Sequence, residues 1–208
     1  MAAPTYPINM PTTPSFTTSS WALNRQIAKS ESQFTGAQQV YEYDYALWSA
    51  VLSLSPMKRE QAREWLSFFM TLHGMKGTFL LGDPDAKTVQ GTVTGTVTLN
   101  SSVAVGDYTV AIATNQASTS NIFRTGDYIQ LGSAGTSKLH MVTADADSNS
   151  SGVVTVTIEP SIKAVLGTGQ QITYNSPKGL FRMDTNDLGW DANVASTYGL
   201  SFSCTEAL

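Results

Sequence analysis

The chain has 208 residues and a net charge of −4, and charged residues make up only 13% of it, about half the usual share. Its sequence pI of about 5.0 argues against direct nucleic-acid binding, which needs a basic footprint. The lone cysteine, Cys204, excludes an intrachain disulfide, and no apolar run approaches the length of a membrane helix. Hydrophobic residues, at 41%, suffice for a packed core, and the abundance of Thr, Val and Gly favours β-structure.

Residues 1–20 carry Pro4, Pro7, Pro11 and Pro14 among Ser and Thr and read as an extended arm. Two readings are open for it: a frayed terminus, or an arm draped over a neighbouring subunit. Met1–Pro7 shows neither the basic start nor the apolar run of a signal peptide, so folding is expected in the cytoplasm of the cell that makes the protein.

Val40–Leu54 reads as a long strand. Tyr41, Tyr43, Tyr45 and Leu47 alternate with Glu42, Asp44 and Ala46; then the apolar parity changes, and Trp48, Leu52 and Leu54 stand opposite Ser49 and Ser53. A change of parity implies a bulge or a strand passing between two environments. Such a strand could leave its own core for a partner's sheet, which makes Tyr41, Tyr43, Tyr45 and Trp48 candidate subunit-contact residues.

A helix is expected from Pro56 to His73, with Ser55 as N-cap and Gly74 at the C-terminal cap. Ala62, Trp65, Leu66, Phe69 and Leu72 form its apolar stripe, which Phe68 and Met70 widen; Lys58, Arg59, Glu60 and Arg63 suit the opposite face. Gly77–Pro84 is a short apolar strand ended by a turn.

All four tryptophans, Trp21, Trp48, Trp65 and Trp190, lie outside residues 88–178. Large aromatics dominate core burial, so this break in their use indicates two cores. Residues 21–87 and 179–208 would form a frame, and 88–178 an inserted small β-barrel or β-sandwich, its strand-like runs punctuated by Gly106-Asp107, Gly126-Asp127 and Ser151-Gly152. The fold class is mainly β: a β-sandwich frame with one α-helix plus the inserted β domain. Tyr198–Cys204 alternates again and closes the frame.

Catalytic and metal patterns are weak. His73 and His140 have no partner spacing toward Cys204 and read as structural. Asp145–Gly152 begins like a calcium loop but has Ser150 in place of the glycine and Val156 in place of the closing glutamate. Gly132-Ser133-Ala134-Gly135 lacks the nucleophile-elbow spacing, and Asp83 and Asp85 read as an acidic turn. The sequence therefore nominates no catalytic residue, metal ligand or cofactor.

The layout resembles distal tail proteins of long-tailed bacteriophages. The resemblance rests on Val40–Leu54, the helical segment, Gly77–Pro84, Gly126–Gly132, Val153–Pro160 and Gly179–Met183. It implies a non-enzymatic subunit of a ring, usually six-fold, in the virion tail between the tail-tube protein and the tip hub protein. An acidic chain could line the lumen and let DNA pass without specific binding; two readings are open for Glu42 and Asp44, lumen-facing or on a solvated outer face. Alternative expectations are a receptor- or glycan-binding module, a tail terminator or a capsid decoration protein.

Overall fold

A computed structural model describes residues 4–187, 189–192 and 197–208; of Asp44 and Ala192 it describes the backbone alone. The chain begins with a segment that lies on its own body. Tyr6 donates its hydroxyl hydrogen to the Thr71 carbonyl at 3.0 Å, and Ile8 bridges in parallel to Phe79. The Trp65 indole N–H reaches the Thr13 carbonyl at 3.0 Å. These contacts fasten residues 6–13 in cis. A strand then starts at Phe16, so Phe16–Ser20, expected within the extended arm, belong to a sheet.

That strand, β1 (Phe16–Glu31), pairs antiparallel with β2 (Gln38–Leu54) along a long hairpin. A two-residue strand β3 (Met57–Lys58) precedes helix α1 (Arg59–Leu72). The helix therefore starts three residues after Pro56, and Ser55 does not cap it. Met57 and Lys58 pair with Tyr198 and Thr197, and this strand pairing holds Lys58 extended (ψ 160) at the N-cap. At the other end His73 itself takes the left-handed conformation (φ 54), and Gly74 follows at φ 65. Ala62, Trp65, Phe68, Phe69 and Leu72 are buried and Leu66 is half-buried, whereas Met70 faces solvent. Strand β4 (Thr78–Leu81) follows.

The middle of the chain forms β5 (Val97–Leu99), β6 (Thr109–Ala113), β7 (Tyr128–Leu131), β8 (Lys138–Val142), β9 (Val153–Glu159) and β10 (Gln171–Ile172). Their order is β10-β5-β6-β9-β8-β7, with antiparallel neighbours. The ends nearly meet: Gln130 N–H donates to the Thr173 carbonyl at 2.7 Å and Thr173 N–H to Gln130 at 3.1 Å. The result is a nearly closed six-strand barrel, which removes most of the exposed edge. Alternating inward residues such as Val97, Ile112, Ile129, Val142, Val156 and Ile172 fill it.

One turn geometry occurs three times in this barrel. Gly106, Gly126 and Gly169 all have positive φ (93, 92 and 81). Their N–H groups donate to the carbonyls of Ile162, Val142 and Leu99, each at 2.8 Å. Those three residues donate back to Asp107, Asp127 and Gln170 at 2.8, 2.7 and 2.9 Å. In the first two turns the aspartate also accepts from the backbone three residues earlier, Ala104 at 2.7 Å and Arg124 at 2.8 Å. The third has Gln170 there. Each turn leads into β6, β7 or β10, so a conformation that favours glycine sets the entry of half the barrel strands.

The chain returns to the frame as β11 (Gly179–Met183), β12 (Asp191–Ala192), β13 (Thr197–Gly199) and β14 (Ser201–Glu206). The frame sheet runs β1-β2-β14-β11-β4, and a small sheet runs β12-β13-β3. The helix covers the inner face of the larger sheet, where Trp65 and Phe69 meet Phe202 at ring separations of 6.3 and 5.1 Å. Two hydrophobic clusters result. One holds Trp48, Leu52, Trp65, Phe79, Phe181 and Phe202 among others; the other lies wholly within residues 93–172 and contains no tryptophan. Leu139 of the barrel belongs to the frame cluster, so one barrel strand plugs into the frame.

Candidate interaction surface on a projecting hairpin

The hairpin is longer than the body that supports it. In β2, Ala46, Trp48, Ala50, Leu52 and Leu54 are buried, whereas every described side chain from Gln38 to Tyr45 is exposed. In β1 the same change occurs at Asn24, beyond which every side chain through Glu31 is exposed. The ribbon is irregular where it leaves the body: Arg25 pairs with Ala46 but Ile27 with Glu42, so Tyr43–Tyr45 stand opposite the single Gln26. A bulge of this kind bends a strand and increases its twist.

The free half is apolar for an unsupported ribbon. Ile27, Val40, Tyr41, Tyr43 and Tyr45 are all exposed, Tyr41 to 64%, and Phe34 at the turn is 99% exposed. The rings of Tyr41 and Tyr43 meet edge-to-face at 5.0 Å and so stand on one side of the strand. The tip is ordered by its own bonds: Ser32 N–H donates to the Ala37 carbonyl and Gly36 N–H to Ser32, both at 2.9 Å, with Gly36 at φ 66. At the base, Arg25 bridges Glu42 at 2.8 Å and Glu159 of the barrel at 2.6 Å, which fixes where the ribbon departs.

Of the residues nominated from sequence, Tyr41, Tyr43 and Tyr45 lie together on this ribbon. Trp48 does not. It is 4% exposed, donates its indole N–H to the Leu139 carbonyl at 2.9 Å, and meets Trp21 and Tyr128 at 6.3 and 5.8 Å. The parity change places it on the face that the frame and barrel cover, so it joins the two cores of one chain. Glu42 is exposed and its charge is offset by Arg25. The Asp44 side chain lies outside the described residues.

A second polar constellation, not nominated from sequence, lies where the barrel meets the frame. Lys163 of the barrel pairs with Glu206 of β14, and both side chains are almost fully buried. The same carboxylate oxygen of Glu206 accepts from Trp48 N–H at 3.2 Å, while Oε1 is buried without a hydrogen-bond partner among the described residues. Lys138 donates its ammonium hydrogen to the Ala207 carbonyl. His140 is buried beside them with Nδ1 2.8 Å from the Pro160 carbonyl. Burial, reinforced by the two lysine charges, lowers its pKa to about 4. Burial also lowers both lysines, against the pull of Glu206. This cluster holds two bodies together. Its members come from three strands or loops and follow no motif, so the sequence singles out only His140 among them, as a structural residue.

The loop acids are committed to local backbone. Asp145 accepts from Thr125 N–H at 2.8 Å, and Asp147 from Asn121 N–H at 2.7 Å. Among the described residues no group of three or more His, Cys, Asp or Glu is arranged to hold a metal ion. Cys204 is buried, which pushes its thiol pKa up. No described helix is long and apolar enough to cross a membrane. No protein-family model and no curated protein matches the chain.

Proposed function

We propose that the chain is a structural subunit that assembles with copies of itself, as a ring at the distal end of a bacteriophage tail between tube and hub. The observation that carries this reading is the hairpin beyond Arg25 and Ala46, whose large apolar side chains have no cover among the described residues of their own chain. An isolated two-stranded ribbon is marginal in water. Burying six such side chains supplies on the order of 10 kcal/mol gross, before the costs of association are subtracted. A low-charge surface suits large contacts, since interface centres are depleted of charge. The tail location comes from the sequence resemblance.

The test removes the outer ribbon, with Phe34, Val40 and Tyr41, and leaves the body. Replacing Ala28–Tyr41 by Asn-Gly keeps Ile27 opposite Glu42 and closes the hairpin with a two-residue turn. This variant is expected to unfold in urea within about 1 kcal/mol of the parent, because the removed side chains bury nothing in the monomer. It is expected to sediment as a monomer where the parent associates, and to be missing from tails. Normal assembly of the shortened chain would refute the reading.

A further inference from the structure

A ring of identical copies needs a second surface, different from the ribbon, to receive it. Two adjoining hollows share Met183. One, of 310 Å³, is lined by Phe69, Met70, His73, Met183 and Asn186 among others. The other, of 380 Å³, includes Leu47, Met75, Arg182, Met183 and Leu208. Met70, Met75 and Leu208 are exposed there although apolar. We infer, given self-assembly, that these methionine-lined hollows receive the hairpin tip of a second copy, with the Phe34 ring as the inserted group.

The fit rests on shape, chemistry and extent. Phe34 is the most exposed of the exposed large hydrophobic side chains, and the tip presents it on a hydrogen-bonded turn. A cavity of about 150 Å³ accommodates a benzene-sized ring, so either hollow has room for one. Methionine adapts its three torsions to a partner and makes favourable sulfur–aromatic contacts. The rim is polar, with His73, Asn186, Asp184 and Arg182 available to the backbone and glutamines of the tip. The free ribbon from Arg25 to Tyr45 has about 20 residues, the number that one side of a stable interface uses. Knob and hollow occupy different places on the chain, so the contact is head-to-tail and repeats from copy to copy. A hairpin-to-hairpin two-fold would leave the hollows empty.

Cys204 is the sole cysteine and is buried, so introduced surface thiols react cleanly. Gln33→Cys and Asp187→Cys chains, which keep Phe34 and the methionines, are prepared separately, mixed at assembling concentration and treated with a short bis-maleimide. The expected result is covalent dimers in the mixture and none from either variant alone. In parallel, Phe34→Ser and Met70→Gln are each expected to weaken association at least tenfold, and the pair together little more than either one. Cross-linking of Gln33→Cys to itself, or unchanged association of Phe34→Ser, overturns the tip-in-hollow contact and leaves self-assembly standing. A parent chain that stays monomeric at all concentrations and is missing from tails overturns both.

Discussion

His140 shows how one buried side chain ties stability to pH. Burial removes the water that would solvate an imidazolium, and Lys163 and Lys138 add positive charge nearby; the Pro160 carbonyl opposes them only in part. The folded pKa is therefore about 4, against 6.5 for the free ring. Above pH 6.5 both folded and unfolded chains carry a neutral ring, and its contribution is complete. As pH falls from 6.5 toward 4 the unfolded chain takes the proton first, and stability drops by roughly 3 kcal/mol from this group. Urea unfolding at pH 7 and at pH 4.5 is expected to show the loss, and His140→Gln is expected to flatten it. The fixed charges around the ring, Lys138, Lys163 and Glu206, all lie at the barrel–frame junction.

At the scale of elements, α1 is where the sequence was most informative. The spacing of Ala62, Trp65, Phe69 and Leu72 follows the helical period, and those side chains are buried. Trp65 touches Phe16, Phe68, Phe69 and Phe202 at ring separations of 5.9–6.3 Å. Trp65→Ala is expected to cost roughly 3–5 kcal/mol, read as a lowered urea midpoint with an unchanged slope. The start of the helix was less legible, because a distant pairing with Thr197 and Tyr198 draws Met57 and Lys58 into a sheet. Strand β1 was harder still: Ser19, Trp21 and Leu23 give a weak alternation, and its outer half faces water on both sides. The parity change in β2 is visible in the sequence, but the side on which the body lies is not, and Trp48, on the covered side, carries the same aromatic signal as the exposed tyrosines. The Gly-Asp turns were readable as turns; their equivalence to Gly169-Gln170 appears only in the shared bonding.

For the whole molecule, the junction between the two clusters decides whether barrel and frame unfold together. Lys163→Ala would leave the buried Glu206 carboxylate without its ion-pair partner, and a loss of roughly 3–5 kcal/mol is expected in urea unfolding. Lys163→Met combined with Glu206→Gln is expected to recover most of it, since the neutral amide leaves no buried charge and still accepts from Trp48 N–H. The junction also gives the tryptophan distribution a physical meaning. Trp48 sits in the frame cluster, and its indole reaches across to Leu139 of the barrel.

The chain departs from the frame after Leu81 and re-enters at Gly179, and these two residues are cross-strand neighbours in one sheet. The splice point is thus a doorway barely wider than a hairpin turn. A foreign domain whose own ends lie side by side could be grafted there in place of the barrel. The hairpin comes from the N-terminal part of the chain and would keep the Arg25 bridge to Glu42 while losing the one to Glu159, so the frame could serve as a carrier for displayed cargo.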